Sequence, residues 1–381
     1  MRLKRVAILT DGVSPLVMGG MQKHSYYLLR YFLSQGVHVL LFHPGKGSVK
    51  EYLPGGGDER LEEHIVPFPS KGSWPWSYVQ NSFAYSVSLY KRLQKNQLPI
   101  DFIYAQGFTA WHLLDQKRKK KGDLPPVGVN FHGLEMFQKA NGFKQKVIQW
   151  MFRGPVKFNL SQADVVYSLG GGLSHILRNM KEVDNARISE IPIGLEPSWL
   201  REEEKVFPED SLSFLFIGRY ERRKGIEDWN AVIQHLEGED LTFEFIGPIP
   251  HSKRIKDGRV TYHGAIKVES ELIQMIDQNH VLVVPSYSEG MPTVILEAMA
   301  RGLVVIASRV GAVEDQVDSD IGQLVDPGDR EGLRKAVLEM KDWSGAQLSM
   351  MSRQAQKRFN ERFTWPQVIE QTIADIEKRF L

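Results

Sequence analysis

The stretch VLVVPSYSEGMPTVILEAMARGLVVIAS, residues 281–308, decides how the chain folds. Val281 to Pro285 is an apolar run of strand length. A loop carrying Glu289 and Gly290 follows, and Pro292 is placed to be the first residue of a helix. Val304 to Ala307 is a second apolar run. Side chains apolar on consecutive residues suit parallel strands covered on both faces. The stretch therefore reads as strand, loop, helix, strand. Free N–H groups from Gly290 to Thr293 would stand at the carboxyl end of a strand, where anions and polar ligand groups bind. Glu297 falls five residues into the helix. Two carboxylates so placed can grip vicinal hydroxyls of a sugar and a ribose. Taken alone, the pattern also fits a capped surface helix with two solvated glutamates.

The same alternation runs outward in both directions. Before it, the strand candidates are 6–10, 37–43, 64–68, 102–106, 127–132, 165–168 and 188–193, with helical patterns at 21–34, 78–95 and 109–121. A charged, strand-poor stretch, 196–211, separates these from a second series at 214–218, 243–247, 260–263, 281–285, 304–307 and 323–325. Residues 329–381 read as strongly helical. Two such series predict an α/β protein of two doubly wound, Rossmann-like domains facing a cleft. The first spans residues 1–195 and the second 196–364.

The second series opens on FLFIGRYERRKG, residues 214–225. A strand delivers Arg219 at its end, and Lys224 follows at a helix start. Two cations there make a diphosphate clamp, the arginine forking two oxygens and the lysine acting as a point charge. A plain basic turn would account for the charges but not for their place at a strand's end. Near the amino end, Gly19 and Gly20 lie between the first strand and first helix, where glycine lets backbone N–H groups approach phosphate oxygens. The loop is not G-x-G-x-x-G, and Gly45-Lys46-Gly47-Ser48 is not a P-loop. His132, after an apolar strand and before Gly133, can point into a cleft or serve as a hydrogen-bonded structural residue. Asp318-Ser-Asp320 spells D-x-D, a metal motif elsewhere, but Asp and Ser here read as a turn.

Composition narrows the field. The 381 residues are 42% hydrophobic and 25% charged and contain no cysteine. That excludes disulfides, thiol nucleophiles and Cys-ligated metals, and fits a reducing compartment. No apolar run approaches the ~20 residues of a membrane-spanning helix. A signal peptide is not expected, since the early apolar run ends at Thr10 and Asp11. A cytoplasmic protein is expected. Its net charge of +2 conceals an asymmetry. Residues 1–200 hold 25 Lys and Arg against 15 Asp and Glu, and the remainder 23 against 31. A basic first half suits an acidic partner, or is simply a differently charged surface.

In order and spacing, GRYERRKG, SEGMPTVILEAMARG, the early Gly-Gly loop and the Phe131-His132-Gly133 strand end resemble the family 4 glycosyltransferases, over essentially the whole chain. The resemblance implies a GT-B fold whose last helix, residues 365–381, crosses back onto the first domain. It implies retaining transfer of a hexose-type sugar from a UDP-, GDP- or ADP-linked donor, with no permanently bound cofactor and no metal. It further implies that Arg219 and Lys224 hold the donor's diphosphate. Glu289 would contact the transferred sugar, and Glu297 the ribose. Gly290, Met291, Pro292, Thr293 and Val294 would offer backbone contacts. Gly19 and Gly20 would approach the phosphates, and His132 would sit near the reacting sugar. Gly247 and Ile266 join the donor-binding set, Ile266 in a segment flanking the base.

The acceptor would be a saccharide or lipid-linked saccharide of envelope polysaccharide, such as lipopolysaccharide, or of glycolipid synthesis. Lys117 to Lys121, the basic and aromatic segment 143–160, and Trp74-Pro75-Trp76 suit an anionic membrane surface, making the protein peripheral on the inner face of the plasma membrane. A basic helix cap with ordinary core aromatics is the alternative. No nucleic-acid motif appears. Competing readings are an epimerase of the same fold, disfavoured by the Arg219, Lys224 and paired-glutamate set, and a catalytically silent nucleotide-sugar-binding subunit.

Overall fold

The computed structural model describes residues 2–69, 75–96, 98–119, 124–138, 143–208 and 211–381. The chain forms two compact units: Met1–Gly194 with Trp365–Leu381, and Leu195–Thr364.

The first unit contains β1 (Arg5–Leu9), α1 (Gly20–Ser34), β2 (His38–His43), β3 (Leu61–Ile65), α2 (Pro75–Leu93), β4 (Phe102–Gln106) and α3 (Trp111–Arg118). It continues through β5 (Val127–Asn130), α4 (Phe143–Gln162), β6 (Val165–Ser168), α5 (Gly171–Arg178) and β7 (Ile188–Glu190). Its sheet is parallel, in the order β3-β2-β1-β4-β5-β6-β7.

The second unit contains β8 (Leu212–Ile217), α6 (Ile226–Gln234), β9 (Leu241–Ile246), β10 (Val260–Gly264), α7 (Glu269–Asp277), β11 (Val281–Val284) and α8 (Thr293–Ala300). Then come β12 (Val304–Ser308), α9 (Val313–Gln316), β13 (Gly322–Val325), α10 (Arg330–Asp342) and α11 (Gly345–Arg362). Its parallel sheet runs β10-β9-β8-β11-β12-β13. Each sheet reverses its strand order once, between β1 and β4 and between β8 and β11. Loops leaving the carboxyl ends at such a reversal diverge and leave room for a ligand. The Gly-Gly loop leaves β1, the Arg219–Lys224 turn leaves β8 and the Glu289 loop leaves β11.

The last helix, α12 (Trp365–Phe380), belongs to the first unit. Trp365, Val368, Ile369 and Ile376 form its apolar stripe and join the core of Leu28, Phe32, Phe102 and Tyr104. Gly194 is required opposite it, because a Cβ there would lie 2.9 Å from the Trp365 Cα. The second core packs Phe214, Phe243 and Phe245 of the sheet around Trp229 of α6.

Three of the boundaries that differ from the sequence reading have a local cause. Strand β3 begins at Leu61 rather than residue 64, because Glu63 is drawn into the structure: its carboxylate accepts from Ser48, from the Val49 N–H and from the His43 ring. Strand β5 stops at Asn130, whose side-chain oxygen accepts the His132 N–H at 2.8 Å and turns the chain. Pro292 is the N-cap of α8, with ψ of 116°, rather than its first helical residue.

Candidate functional site

In the second unit the site grows from two pinned turns. Strand β8 ends beside Gly247, where a Cβ would lie 1.9 Å from the Gly218 carbonyl oxygen. Only glycine allows that approach. The chain then makes a 3₁₀ turn over Arg222–Lys224 and enters Gly225 at a φ of +68°. A Cβ on Gly225 would meet the Pro285 carbonyl oxygen at 1.8 Å. The basic turn is thus pressed onto the loop that leaves β11.

That contact brings Lys224 to Glu289. The lysine Nζ donates to Glu289 Oε1 at 2.6 Å, and Ser286 Oγ donates to the same oxygen at 2.7 Å. Arg223 Nη1 stands 3.8 Å from the other carboxylate oxygen. Glu289 is only 7% exposed, so its charge is compensated where water is scarce. From behind, the Ala312 N–H donates to the Gly290 carbonyl at 2.7 Å, and Gln316 Nε2 to the Pro292 carbonyl at 3.1 Å. These bonds turn the loop's carbonyls into the protein. The N–H groups of Gly290, Thr293 and Val294 have no acceptor among the described residues. Met291 is buried, and Glu297 is 8% exposed at the fifth residue of α8. The result is a lysine, a gripped carboxylate and a helix amino terminus at the strand reversal. Such a group can bind an anion and orient a hydroxyl-bearing neighbour.

Arg219 does not join this cluster. Its side chain is 67% exposed and pairs with Glu221 at 3.0 Å. Ile266 is half-buried in the loop after β10, and nearby His263 pairs with Glu244. Asp318-Ser-Asp320 forms the expected turn, the Asp320 N–H donating to Asp318 Oδ1 at 3.0 Å, with Arg358 2.8 Å from the other oxygen.

In the first unit, Gly19 caps α1, and a Cβ on it would lie 2.1 Å from Gln22 Oε1. Gly20 has open space around it. His132 takes a φ of 59°, a left-handed conformation that costs a non-glycine residue free energy. Its ring meets the ring of His24 edge-on, centroids 4.5 Å apart. Burial draws the His132 pKa down to about 3 and that of His24 well below the usual value, the His132 charge adding to the effect on His24. Both rings are therefore neutral near pH 7. His132 Nε2 and His24 Nδ1 are buried without a hydrogen-bond partner among the described residues. Asn130 Nδ2 donates to the Tyr104 hydroxyl at 3.0 Å, and the His24 ring also packs on Trp365.

Sequence reasoning missed His24 and Ser286. His24 was signalled by its place one helical turn beyond Gly20. Ser286 was signalled by its spacing of three from Glu289 across a tight loop.

The surface read as membrane-facing is altered. Lys117 pairs with Asp164, and Arg118 and Lys119 with Asp115. Lys157 pairs with Glu182 at 2.8 Å. Trp74, Lys120, Lys121 and the Lys144 side chain lie outside the described residues. Apolar residues also stay open: Phe143 is 82% exposed and Trp150 72%, with Val147 between them on α4 and the exposed Lys146 beside it. Among the described residues no helix is long and apolar enough to cross a membrane.

The chain matches two family descriptions: Glycosyltransferase Family 4 over residues 18–199, and Glycosyl transferases group 1 over residues 211–342. It is 28% identical to the teichuronic acid biosynthesis glycosyltransferase TuaC of Bacillus subtilis over 58% of this chain and 63% of that one. The chain spans less than two thirds of the length of the first curated relatives it matches. It is also 28% identical to the glycogen synthase of Mycobacterium tuberculosis, over 97% of this chain and 93% of that one. In fold it matches the sucrose-phosphate synthase of Thermosynechococcus elongatus, with a TM-score of 0.76, 19% identity and 99% of both chains covered. With two doubly wound sheets, each carrying its loops at the strand reversal, the chain belongs to the family 4 glycosyltransferases and has the GT-B fold.

Proposed function

We propose that this protein is a retaining glycosyltransferase. It moves a hexose from a UDP-, GDP- or ADP-linked donor to a saccharide or lipid-linked saccharide, in cell-envelope polysaccharide or glycolipid synthesis. The observation that carries the reading is the Lys224–Glu289–Ser286 cluster beside the amino terminus of α8. A nucleoside diphosphate sugar presents a double anion next to a ring of hydroxyls, and the cluster offers a cation, N–H donors and a carboxylate in that neighbourhood. Likeness to TuaC favours an envelope polysaccharide as the product.

In the proposed reaction the bond between the anomeric carbon and the diphosphate oxygen breaks, and its electron pair leaves with the diphosphate. Lys224, Arg219 and the N–H groups of Gly290, Thr293 and Val294 stabilise the growing negative charge. Donors fixed before the reaction lower the barrier because they need no reorganisation. Arg219 can leave Glu221 for phosphate, since its side chain is exposed. The acceptor oxygen attacks from the face the diphosphate leaves, and its proton passes to a phosphate oxygen. Glu289, already gripped by Lys224 and Ser286, orients sugar hydroxyls and is given no nucleophilic role. Glu297 takes the ribose hydroxyls, and Gly247, Met291, Pro292 and Ile266 line the donor. The first unit's Gly19 and Gly20 are assigned to the phosphates. Its neutral His132 is assigned to the reacting sugar as a hydrogen-bonding group rather than as an acid.

The lipid-linked part of the proposal rests on α4. Phe143, Val147 and Trp150 recur at helical spacing on one exposed stripe. A bilayer interface would cover that stripe, and aromatic rings suit that depth.

The test is a melting-temperature screen against UDP-, GDP- and ADP-sugars, with and without magnesium, followed by anomeric analysis of any product. A ligand that binds only the folded state raises the melting temperature. One nucleotide class should shift it independently of magnesium, and the product should retain the anomeric configuration. No shift with any donor would favour the silent binding subunit instead.

A further inference from the structure

Tyr287 stands in the loop between Ser286 and Glu289, and both of its ends are tied to the segment around Lys224. Its N–H donates to the Arg223 carbonyl at 2.7 Å. Its hydroxyl donates to Asp228 Oδ2 at 2.6 Å. The two anchor points, Arg223 and Asp228, bracket Lys224 in the sequence. Asp228 is buried in the first turn of α6, and its other oxygen accepts from Arg330 Nε at 2.6 Å. The Tyr287 ring lies against Gly328, where a Cβ would come within 2.8 Å of the hydroxyl. Gly328 has a φ of +82°, so the backbone there suits glycine.

A loop held only by its neighbours in sequence could slide along the Lys224 turn. Two bonds at different heights prevent it. The Asp228 bond is charge-assisted and so stronger than a neutral one. Arg330 supplies the countercharge that lets a buried carboxylate persist.

We infer that Tyr287 is a positioning residue: by clasping Asp228 it sets the register of the 286–289 loop against the Lys224 turn, and so fixes where Glu289 presents its carboxylate to the donor's sugar. The inference rests on the reading of Glu289 as a sugar ligand. It also assigns Asp228 and Arg330 to the same clasp, and none of the three need touch the donor.

Tyr287→Phe keeps the ring over Gly328 and removes only the hydroxyl, so the fold should survive. Asp228→Asn is a second variant that keeps one acceptor and removes the charge. Arg330→Gln leaves the Tyr287–Asp228 bond in place and serves as the milder control. Two readouts are needed. Hydrogen exchange of residues 285–291 reports the loop itself. Titration with UDP, GDP and ADP, and then with their glucose conjugates, separates the diphosphate from the sugar. In Tyr287→Phe, exchange should rise, and free nucleotide affinity should stay within about twofold. Affinity for the glucose conjugate should fall roughly three- to tenfold, the scale of one lost hydrogen bond. Asp228→Asn should fall between that variant and Arg330→Gln.

Unchanged exchange would overturn the clasp. Equal weakening of nucleotide and conjugate would overturn the positioning role and leave a general structural one. If the unaltered protein binds none of the six compounds, the donor reading fails and the positioning role fails with it. The exchange data would then still show whether Tyr287 holds the loop.

Discussion

The two units treat their buried polar groups in opposite ways. In the second, the central groups are charged and paired: Lys224 with Glu289, and Arg330 with Asp228. In the first, they are neutral and partly unpartnered: His24 and His132 meet ring to ring, each with a buried nitrogen that has no hydrogen-bond partner among the described residues. Under the proposed function, the difference matches the groups assigned to each unit. A leaving diphosphate needs fixed charge, whereas a reacting sugar is better met by neutral hydrogen-bonding groups in a dry setting. The buried carboxylates of Glu289 and Asp228 can stay charged because each has a counterion. The first unit avoids the cost by keeping its imidazoles unprotonated.

The sharpest way to break this contrast is to remove the charge. Lys224→Ala should lower transfer by on the order of 10²–10³-fold, the range seen when one preorganised electrostatic donor is lost. The loss should appear in kcat. Steady-state kinetics with the donor found in the melting screen would measure it. A variant as active as the parent would remove the lysine from the mechanism.

Glu297→Ala is the next largest. Loss of a carboxylate that holds ribose hydroxyls should weaken donor binding by roughly 10–100-fold, the scale of losing one or two charged hydrogen bonds. Calorimetric titration would read it, with circular dichroism to show that the protein is still folded. An unchanged affinity in a folded variant would remove the ribose assignment.

Both sides of the contrast were partly legible in the sequence: Lys224, Glu289 and His132 stood out, but their contacts did not. Apolar runs such as Val281–Val284 and Val304–Ser308 gave the parallel strands, because burial on both faces leaves little room for polar residues. The place of Lys224 and Glu289 followed, since each lies a few residues past such a strand. Their direct contact did not follow, because it depends on Gly225 meeting the Pro285 carbonyl 60 residues away in sequence. Tyr287 drew no reading for the same reason: its partner Asp228 lies on another element. His24 drew no reading, because its contact with His132 depends on the turn at Asn130. Lys117 to Lys121 read as a basic run suited to an anionic surface, but among the described residues Asp164 pairs with Lys117, and Asp115 with Arg118 and Lys119. Charge runs declare their composition in a sequence and hide their partners.

Acid should expose the neutral side. The folded pKa of His132 is lowered to about 3 and that of His24 is lowered well below normal, both chiefly by burial. In the unfolded chain each titrates near 6.5. The unfolded state therefore gains protons first, so stability is complete above about pH 6.5 and declines as pH falls toward the folded values. Each such histidine should cost about 1.4 kcal/mol per pH unit in that window. The second unit has His280, lowered to about 4 by burial, then by Lys205. The first should thus soften sooner. Hydrogen exchange at pH 7 and pH 5, resolved by unit, would show it. Replacing His132 by Gln should flatten the pH dependence of the first unit alone. Equal softening of both units would dissolve the contrast.

The smallest effect concerns what the first unit leaves uncovered. On the surface read as membrane-facing, Lys117, Lys119 and Lys157 are paired, so attraction to an anionic surface should be weaker than the local charge count suggests, and the exposed stripe of α4 should carry the contact. Phe143→Ala with Trp150→Ala should reduce binding to vesicles of mixed zwitterionic and anionic lipid by roughly three- to tenfold, the apolar part of interfacial binding. Raising ionic strength should matter little by comparison, because interfacial insertion depends on apolar area and salt screens only charge. Co-sedimentation at low and high salt separates the two contributions. Binding abolished by salt and untouched by the double substitution would return the contact to the basic residues. Absence of binding in the parent would leave the stripe without a bilayer and restrict the acceptor to soluble saccharides.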